Sequence, residues 1–557
     1  MTLPIVLDDI RNPMFVRTSE LTSDDLTRAG AQYVDERVQC AVYGSGATLI
    51  DPHKLAHAWL ENGDQALRPV LETAPLVVIL ADRATGRTVV FRDAMGLGRA
   101  YVAAGGDRLW ISSTFGRLRA ALAENGSNGT LDRDALAAYL TFQYVPYPYT
   151  PIREIRQVPP GNSAELAGGE IRFSPIAEPL HASGAHSPDV PEAIRQAGPD
   201  IVDLITGSLR RQLKGDETPA MFLSGGMDSS TVGAIAATRL GVRPVAYTAT
   251  FDNAEYDESA YAAIVAKKFD LDHHFVKVSA EHLNLLPDIA RGFDLPHGDR
   301  SVLAEHLIAQ AAAANGHQIV LSGEGGDELL GHPRTRRPTL FADAPLDPVK
   351  LASWYLDRTA LTDAPLRERL LGRLGVPHDL PVHHLVAVHG TDVSHHAFDR
   401  LLLGQWRTWL VDGVYPKDTQ VLLSQGLRPA FPLMDRELAR YLAALPADVR
   451  QAGLDDKSFL KSALATTLPA ETLAKRKHKF LLPFHLWFRG SWAGELRDLL
   501  LSERAVVAGA VGADLVGELL DQHAAGTADH DRLLWTIAFF ETWWENGATR
   551  SFDWAAA

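Results

Sequence analysis

Two apolar segments in the second half of the chain end alike, and this shared ending constrains the fold more than any other feature. "MFLSGGMDSS" at 221–230 and "LSGEGGDELLG" at 321–331 each pass from hydrophobic residues into a serine, closely spaced glycines and an aspartate. Around them, apolar runs of strand length alternate with helical runs such as "SSTVGAIAATRLG" and "ESAYAAIVAKKFD". This alternation predicts an α/β fold with a parallel, doubly wound sheet, whose ligands lie beyond the carboxyl ends of the strands.

The first loop, with Ser224, Gly225, Gly226, Asp228 and Ser229, has the composition of a polyphosphate cradle. Glycines allow the backbone to approach a ligand closely, and the helix that follows presents N–H groups and the positive end of its dipole. The serines add hydroxyl donors. The loop is not a Walker A motif, because no Gly-Lys-Ser/Thr follows at the required spacing.

The second loop repeats the arrangement with Ser322, Gly323 and Asp327. A carboxylate that faces phosphates is understandable when a Mg²⁺ ion lies between them. We therefore expect Asp228 and Asp327 to be ligands of one Mg²⁺ bound to a polyphosphate. The alternative is that the two loops are unrelated strand-to-helix turns. Neither loop by itself excludes this alternative.

Charge and composition narrow the classes of function. Lys and Arg total 54 against 69 Asp and Glu, a net charge of −15, which disfavours a nucleic-acid-binding protein. No apolar run approaches 18 residues and the amino terminus lacks a signal-peptide pattern, so we expect no membrane span. Cys40 is the single cysteine, which excludes an intramolecular disulfide and fits a cytoplasmic protein.

The pattern of the chain changes between residues 178 and 195, where "EPLHASGAHSPDVPEA" has the composition of a linker. Before it, "PLVVILAD" and "TVVFRD" predict paired strands and "RLWISST" predicts another, in an α+β unit with mostly antiparallel strands. From about residue 340 the sequence predicts helices, with "DRLLWTIAFFETWWENG" as an amphipathic last helix. We therefore predict two domains, at residues 1–185 and 195–557.

Several segments resemble one known family. "SGGMDSS" resembles the loop of ATP pyrophosphatases, and with "SGEGGDE" and "YDESAYAAIVAKKFDLDHH" it resembles the synthetase domain of asparagine synthetase B-type enzymes. "DLPHGDRS", "AFPLMDRELARYLAALP" and "KHKFLLPFHLWFRG" resemble further segments of that domain. Upstream, "FRDAMGLGRAYV" and "YLTFQYVPYPYTPIREIRQVPPG" resemble the family's glutaminase domain and its link to the synthetase. The resemblance covers about residues 38–550.

The resemblance implies a glutaminase-like αββα sandwich of the Ntn type followed by an ATP pyrophosphatase domain with a helical carboxyl-terminal part. Glutamine-hydrolysing members begin their mature chain with a nucleophilic cysteine followed by Gly-Ile, whereas this sequence begins Met-Thr-Leu-Pro. Their glutamine-binding N-G-E-I-Y-N segment is also absent, with "YGSGATL" near that place. We therefore expect a degenerate amino-terminal domain that keeps the fold without releasing ammonia, and Cys40 is not expected to replace the nucleophile.

The family's chemistry implies ATP and Mg²⁺ as cofactors and a carboxylate that attacks the α-phosphorus of ATP, so that pyrophosphate and then AMP are released. By resemblance, Leu223, Ser322 and Gly323 lie near the adenosine. Lys477 occupies the place of the family's lysine at the acyl-phosphate centre, although the run "KRKHK" leaves the register open between residues 475 and 479. Glu258 is a candidate for orienting the nucleotide loop, and a helix cap is its simpler role. Asp228, Asp327 and Lys477 are thus the predicted catalytic residues.

Without glutaminase chemistry, the amine must come from free ammonia or from the substrate itself. Family members without the cysteine include β-lactam synthetases and the macrolactam cyclases of lasso peptides, and both close a ring. The sequence "SQGLRPAFPLMD" lacks the Glu-x-Arg of asparagine synthetases, whereas "KFLLPFHLWFRG" resembles them. We therefore expect an intramolecular cyclase acting on a small-molecule or peptide carboxylate, such as a precursor peptide delivered with a leader-peptide protease or recognition protein. The alternatives are an ammonia-dependent asparagine synthetase and a non-catalytic nucleotide-binding paralogue.

Overall fold

A computed structural model gives the architecture of the protein. It describes residues 15–17, 31–44, 47, 50–72, 75–105, 108–127, 129–167, 169–177, 182–213, 218–331, 347–389, 397–475 and 482–546. Across these residues, every helix is too short or too polar to cross a lipid bilayer.

Two antiparallel sheets occupy the amino-terminal half. The strands described there are β1 (Phe15–Arg17), β2 (Ala31–Val34), β3 (Val38–Tyr43), β4 (Val77–Asp82), β5 (Thr88–Arg92), β6 (Tyr101–Gly105), β7 (Arg108–Ser112), β8 (Ile155–Gln157), β9 (Asn162–Ala167) and β10 (Glu170–Pro175). One sheet has the order β1-β7-β6-β8 and the other the order β10-β9-β5-β4-β3-β2. The predicted pairing of β4 with β5 is confirmed, with Val77 opposite Arg92 and Ala81 opposite Thr88.

These sheets form the middle layers of a sandwich. The accompanying helices are α1 (Pro52–Asn62), α2 (Arg68–Leu71), α3 (Phe115–Glu124) and α4 (Arg133–Phe142). Ala41 and Val90 of one sheet pack with Ile111 of the other in a shared core. Because successive strand residues point to opposite faces, Cys40 packs on the other face, in a second core with Trp59 of α1. The α+β prediction and the αββα layering are confirmed.

A five-stranded parallel sheet organises the carboxyl-terminal half. Its strands are β11 (Ala220–Phe222), β12 (Val245–Thr250), β13 (His273–Lys277), β14 (Ile319–Leu321) and β15 (Arg428–Ala430), in the order β13-β12-β11-β14-β15. All neighbouring pairs are parallel, as the alternation of strands and helices predicts. The chain moves outward from β11 through β12 to β13 and then returns to place β14 on the other side of β11.

Helices cover this sheet and continue beyond it. Those that alternate with the strands are α5 (Val190–Gln212), α6 (Met227–Arg239), α7 (Ser259–Phe269), α8 (Leu286–Arg291), α9 (Val302–Ala314) and α10 (Gly326–Leu329). The following segment contains α11 (Pro348–Thr359), α12 (Ala364–Leu374), α13 (Leu380–His389), α14 (Ala397–Gln405), a π-helix (Trp406–Val414), α15 (Tyr415–Ser424) and α16 (Arg436–Ala444). The last helices are α17 (Ala447–Leu454), α18 (Ser458–Ala463), α19 (Ala470–Ala474), α20 (Phe484–Arg489), α21 (Ala493–Leu500), α22 (Val506–Val511), α23 (Ala513–Ala524) and α24 (Asp531–Asn546).

The last helix, α24, differs from the sequence prediction. The pattern predicts an amphipathic helix, but α24 is buried on most of its circumference, and Trp535 and Trp543 are almost completely inaccessible to solvent. The hydroxyl of Tyr139 on α4 donates a hydrogen bond to the carbonyl of Thr536 at 2.8 Å, which ties the helix to the amino-terminal half. A helix that is apolar on nearly all sides packs between other elements instead of facing water.

Candidate active site

The site lies where the strand order of the parallel sheet reverses. Strands β11 and β14 are neighbours, with Ala220 opposite Val320 and Met221 opposite Leu321. Their connections leave on opposite sides, so a crevice opens beyond their carboxyl ends, which is the general ligand position in open α/β sheets. Both glycine-rich loops begin at this crevice. The two loops therefore meet at one crevice.

Glycine is required in the first loop for both conformation and space. Gly225 has φ 68°, in the left-handed region that other residues avoid. A Cβ atom at this position would lie 2.4 Å from backbone atoms of Tyr261 and Ala262 on α7. Gly226 precedes α6, whose first-turn N–H groups have no partners within the helix, and the residues of this turn line the cavity described below. The loop has the shape of an anion cradle.

The hydroxyl groups of the first loop hold its shape. Ser224 and Ser229 place their Oγ atoms 3.1 Å apart, and the Ser224 N–H donates to the Ser229 hydroxyl at 3.2 Å. Leu223 is fixed by two backbone contacts, because its N–H donates to the Tyr247 carbonyl at 3.0 Å and its carbonyl accepts from the Thr248 hydroxyl at 2.5 Å. Leu223, Ser224 and Ser229 line the cavity described below.

Close glycine contacts bring the second loop against the first. A Cβ atom on Gly323 would lie 2.5 Å from the amide nitrogen of Ser229, and one on Gly326 would lie 2.4 Å from the Asp228 carboxylate. Ser322 accepts the N–H of Glu324 at 3.2 Å and thereby shapes the turn. The glycines of one loop thus admit the backbone and the carboxylate of the other, which explains why the sequence keeps side chains out of these positions.

Lys457 joins the two predicted metal ligands. Its ammonium contacts the carboxylate of Asp228 and lies 2.9 Å from Oδ1 of Asp327. Burial alone would lower the pKa of Lys457, but the two carboxylates outweigh this effect and raise the pKa above its usual value. The structure brings carboxylate oxygens of Asp228 and Asp327 together at this one ammonium. Their role as Mg²⁺ ligands stays a prediction.

Sequence reasoning did not identify Lys457, because it lies between α17 and α18 with no motif around it. The backbone there is unusual, since Asp456 and Lys457 have φ values of 49° and 57°. Residues other than glycine, asparagine and aspartate rarely adopt this region, and such outliers concentrate at functional sites. The ammonium therefore reaches the two aspartates from a backbone geometry that only the folded structure shows.

The predicted catalytic lysine, Lys477, lies outside the residues that the structure describes. Of its run, Lys475 is described, and it lines the cavity. Its ammonium lies 3.0 Å from Oε2 of Glu258 and 4.3 Å from the centre of the Tyr261 ring. Glu258 directly precedes α7 and makes no side-chain cap, so it pairs with a lysine and also lines the cavity.

A cavity of about 780 Å³ connects these groups with a second cluster of charges. Its lining includes Leu223, Ser224, Asp228, Ser229, Glu258, Ser322, Gly323, Glu324, Asp327 and Lys457, together with Gln143 of the amino-terminal half. The volume is within the range of small-molecule sites. With Lys477 outside the described residues, Gly225 is the predicted site residue absent from this lining, because it packs against α7.

The second charge cluster contains three carboxylates and one lysine. Glu305, Glu324 and Asp418 place one oxygen each within 4.8 Å of the others. The Lys417 ammonium lies 2.7 Å from Oε1 of Glu305 and 3.2 Å from Oδ1 of Asp418, and it donates to the Ser301 hydroxyl at 2.9 Å. The Lys417 ammonium offsets part of the negative charge of these three carboxylates.

Charge repulsion and burial raise the pKa of two carboxyl groups in this cluster. Burial, with Glu305 and neighbouring acids opposing Lys417, raises the pKa of Glu324 to about 7. Burial also raises the pKa of Asp418 well above its usual value. His297 donates a hydrogen bond from Nε2 to the Gly413 carbonyl at 2.9 Å, and burial lowers its pKa to about 4, so it is neutral. Burial and the neighbouring acids thus favour the neutral form of the Glu324 carboxyl group, which lines the cavity.

Cys40 has the environment of a structural residue. It is completely buried in β3, and burial raises the pKa of its thiol to about 12. A nucleophilic cysteine needs a thiolate, an exposed sulfur and a nearby base or positive charge. Because its sulfur is buried and the raised pKa keeps its thiol protonated, Cys40 offers neither a thiolate nor an exposed sulfur.

Comparison with known protein families follows the two halves of the chain. Residues 200–545 match the family described as "Asparagine synthase", and residues 43–176 match the family described as "Glutamine amidotransferase domain". The first match includes both glycine-rich loops, Lys457 and the acid cluster. The second covers most of the antiparallel sandwich.

Curated relatives extend the similarity over almost the whole chain. The sequence is 26% identical to a protein of Mycobacterium tuberculosis named "Putative asparagine synthetase [glutamine-hydrolyzing]", over 94% of this chain and 82% of that protein. It is 23% identical to "Asparagine synthetase [glutamine-hydrolyzing] 1" of Bacillus subtilis, over 81% of this chain and 74% of that protein. A shorter match, 23% identical over 57% of this chain and 56% of that protein, is "Amidase chyE" of Penicillium rubens.

Proposed function

Because the chain belongs to the asparagine synthase family, and is thus an ATP-dependent carbon–nitrogen ligase, we propose that it transfers AMP from ATP to a carboxylate and joins the resulting acyl group to an amine. Pyrophosphate leaves in the first step and AMP in the second. We also propose that residues 1–185 form a degenerate amidotransferase domain and residues 195–557 the synthetase domain.

The observation that carries this proposal is the meeting of Asp228, Asp327 and Lys457 at the switch point of the sheet. Two carboxylates and one ammonium carry one net negative charge, beside a loop whose glycines and helix N–H groups favour an anion. The donor set of two carboxylates fits Mg²⁺, which prefers oxygen ligands and usually shares them with substrate phosphates. When bound, the ion would neutralise charge that develops on the pyrophosphate.

The protein's own groups then align the reactants. The backbone of Ser224, Gly225 and Gly226 would hold the pyrophosphate, with Leu223, Ser322 and Gly323 beside the adenosine. Lys457 keeps the two carboxylates at a fixed separation and presents a positive charge to phosphate oxygens. Lys477 is the candidate for the positive charge at the acyl centre. Such positioning and charge stabilisation supply most of the rate in phosphoryl and nucleotidyl transfer.

Glu324 is the candidate proton acceptor for the amine. It lies on the second loop between Gly323 and Asp327, lines the cavity, and has a pKa of about 7 because burial disfavours its charged form. A carboxylate with this pKa can take a proton from an ammonium group at neutral pH as the amine attacks the acyl carbon. Lys417 would stabilise the carboxylate form of Glu324, and the negative charge of Glu305 would favour the protonated form.

We propose that the amine belongs to the substrate itself, which makes the enzyme an intramolecular cyclase. The support is the buried, unreactive Cys40, since no other cysteine in these 557 residues offers a nucleophile for glutamine. A lasso peptide macrolactam cyclase is the first candidate and a β-lactam synthetase-like cyclase the second. The names of the mycobacterial and Bacillus relatives favour a third, an asparagine synthetase-like enzyme, which would use free ammonia here.

The test is pyrophosphate release from ATP with Mg²⁺ and a set of carboxylates. Release with L-aspartate and ammonium would favour the asparagine synthetase-like function. Release that needs a peptide with a free amino terminus and an internal Asp or Glu would favour the macrolactam cyclase. Formation of ADP and orthophosphate, instead of AMP and pyrophosphate, would contradict the proposed reaction.

Matched variants connect the activity to the site. Asp228→Asn should abolish pyrophosphate release with the fold retained. Asp203→Asn is the control, because Asp203 pairs with Arg239 at 3.5 Å on the protein surface, where both side chains are more than half exposed. A protein that binds ATP yet releases no pyrophosphate with any acid would be a nucleotide-binding paralogue.

A further inference from the structure

Among the described residues of the amino-terminal half, Gln143 lines the cavity. Gln143 follows the last residue of α4, is only 5% exposed, and lines the cavity beside Asp299, Arg300 and Arg532. Its backbone carbonyl accepts the N–H of Gly298 at 2.7 Å, so the residue is fixed at the junction of the two halves. The sequence motifs do not single it out.

The backbone of Gln143 is in a conformation that glutamine rarely adopts. Its φ is 67° and its ψ 9°, the left-handed cap at the end of a helix, where glycine or asparagine is the usual residue. Its N–H donates to the Tyr139 carbonyl at 2.7 Å, which completes the cap without any help from the side chain. A glycine would therefore satisfy the helix end, and the carboxamide is not needed for the cap.

The carboxamide instead joins a polar corner of the cavity. Its nitrogen lies 3.5 Å from Oδ2 of Asp299, and its oxygen accepts from Nη2 of Arg532 at 3.3 Å. Both contacts are long, and a carboxamide has two N–H donors and an oxygen that accepts twice, so it has capacity for a further partner. Ser301, two residues beyond Asp299, bonds to Lys417, so this corner adjoins the acid cluster.

We propose that Gln143, with Asp299 and Arg532, binds the amino-acid unit that carries the reacting carboxylate. The three side chains come from the end of α4, the loop before α9 and the start of α24, and they offer a carboxamide, a carboxylate and a guanidinium. An amino-acid unit presents the complementary groups, because its nitrogen suits Asp299 and its carbonyl or carboxylate oxygen suits Arg532 and the Gln143 amide. The unit is either a free amino acid or a residue of a peptide. This proposal rests on the proposed adenylation of a carboxylate.

The experiment compares Gln143→Gly with Asp270→Gly. Asp270 has φ 53° in the left-handed cap of α7, and its side chain is 93% exposed, away from the cavity. Both changes place glycine where the backbone favours it, so neither should lower the melting temperature by more than about 2 °C. Only Gln143→Gly should raise KM for the carboxylate in pyrophosphate release, by about tenfold, with KM for ATP unchanged within about twofold.

The panel of acids identifies the source of the unit. It contains L-aspartate or L-glutamate with ammonium, a peptide with a free amino terminus and an internal Asp or Glu, and succinate, which lacks the nitrogen. The tenfold effect of Gln143→Gly should appear with the free amino acid or with the peptide. It should also appear with succinate, because succinate keeps the carboxylate oxygen assigned to the Gln143 amide and lacks only the nitrogen assigned to Asp299. Gln143→Asn keeps an amide and tolerates the left-handed backbone but is one methylene shorter, so it should resemble Gln143→Gly.

Two results would overturn the assignment. Equal kinetic constants for the glycine variants at 143 and 270 would show that the carboxamide does not contact the substrate. If the wild-type protein released no pyrophosphate with any acid, the proposed function itself would be wrong. Calorimetric binding of the same acids in the presence of α,β-methylene-ATP would then decide the role of Gln143, and equal affinity in wild type and Gln143→Gly would refute it.

Discussion

Replacement of Lys457 by methionine tests the charge balance at the centre of the site. Methionine has a similar length and no charge, so Lys457→Met leaves the Asp228 and Asp327 carboxylates facing each other without their shared ammonium. Removal of one partner from a fully buried ion pair costs about 3–5 kcal/mol. Here the Lys457 side chain is 9% exposed, whereas the side chains of Asp228 and Asp327 are 18% and 46% exposed.

Solvent exposure of the two aspartates lowers the expected cost. Water and ions stabilise part of the unpaired charge, so we expect a loss of about 2 kcal/mol in the free energy of unfolding without Mg²⁺. For a large domain this lowers the melting temperature by about 4 °C. Mg²⁺ binding to the two carboxylates should recover more of the stability in the variant than it adds to the wild type.

Activity should fall more steeply than stability. Loss of one positive group that stabilises developing charge lowers kcat by about 10²–10³-fold, so pyrophosphate release should fall by that factor. Lys277→Met is the matched control, because Lys277 pairs with Asp252 at 2.8 Å on the surface, and it should change stability by less than about 1 kcal/mol. A Lys457→Met protein that melts, binds Mg²⁺ and turns over like the wild type would refute the assignment of this lysine.

Three further predictions concern other parts of the molecule. Glu324→Gln should lower the rate of amide formation by at least about 10²-fold. The wild-type rate should rise with pH around 7. Because the pKa of Glu324 is raised in the folded protein, the free energy of unfolding should fall as pH increases from about 4.5 to 7. Denaturation curves of the variant should not show this loss. Cys40→Ala should retain activity and lose about 1–2 kcal/mol of stability. In the wild type, iodoacetamide should label Cys40 only on unfolding, and rapid labelling of the native protein would contradict its burial. Arg99→Met should cost about 3–5 kcal/mol because Arg99 Nη1 lies 3.2 Å from Oδ1 of the buried Asp412, and adding Asp412→Asn should restore part of that loss in thermal melts, whereas additive losses would refute the pairing.

Much of the fold follows from local sequence patterns. The alternation of apolar strands with helices predicts the parallel sheet, because a strand buried on both faces needs a continuous apolar run and its parallel neighbour needs a crossover. The paired apolar segments around "RATG" predict β4 and β5 for a different reason, because a short turn can join two antiparallel neighbours. The last helix is the exception, since its buried polar residues, such as Glu541, accept the N–H groups of Val506 and Val507, contacts that no local pattern reveals.

For the site as well, some residues could be predicted from the sequence and others only from the structure. The glycines and aspartates of the two loops are visible in the sequence, because close backbone approach and an anion cradle require those residue types in a short local arrangement. Lys457 and Gln143 are not visible, because a single lysine or glutamine carries no signal until its neighbours are known. Lys457 lies 229 positions from Asp228, and only chain folding brings the two together.

The sequence by itself thus determined the two loops, the doubly wound sheet and the antiparallel sandwich, since each depends on residues close together along the chain. Tertiary structure alone decided which cation joins Asp228 to Asp327, that Glu305, Glu324 and Asp418 come together around Lys417, and that Gln143 reaches the cavity from the other half. These properties depend on distance and burial, which are set by how the elements pack and not by the order of residues within any one of them.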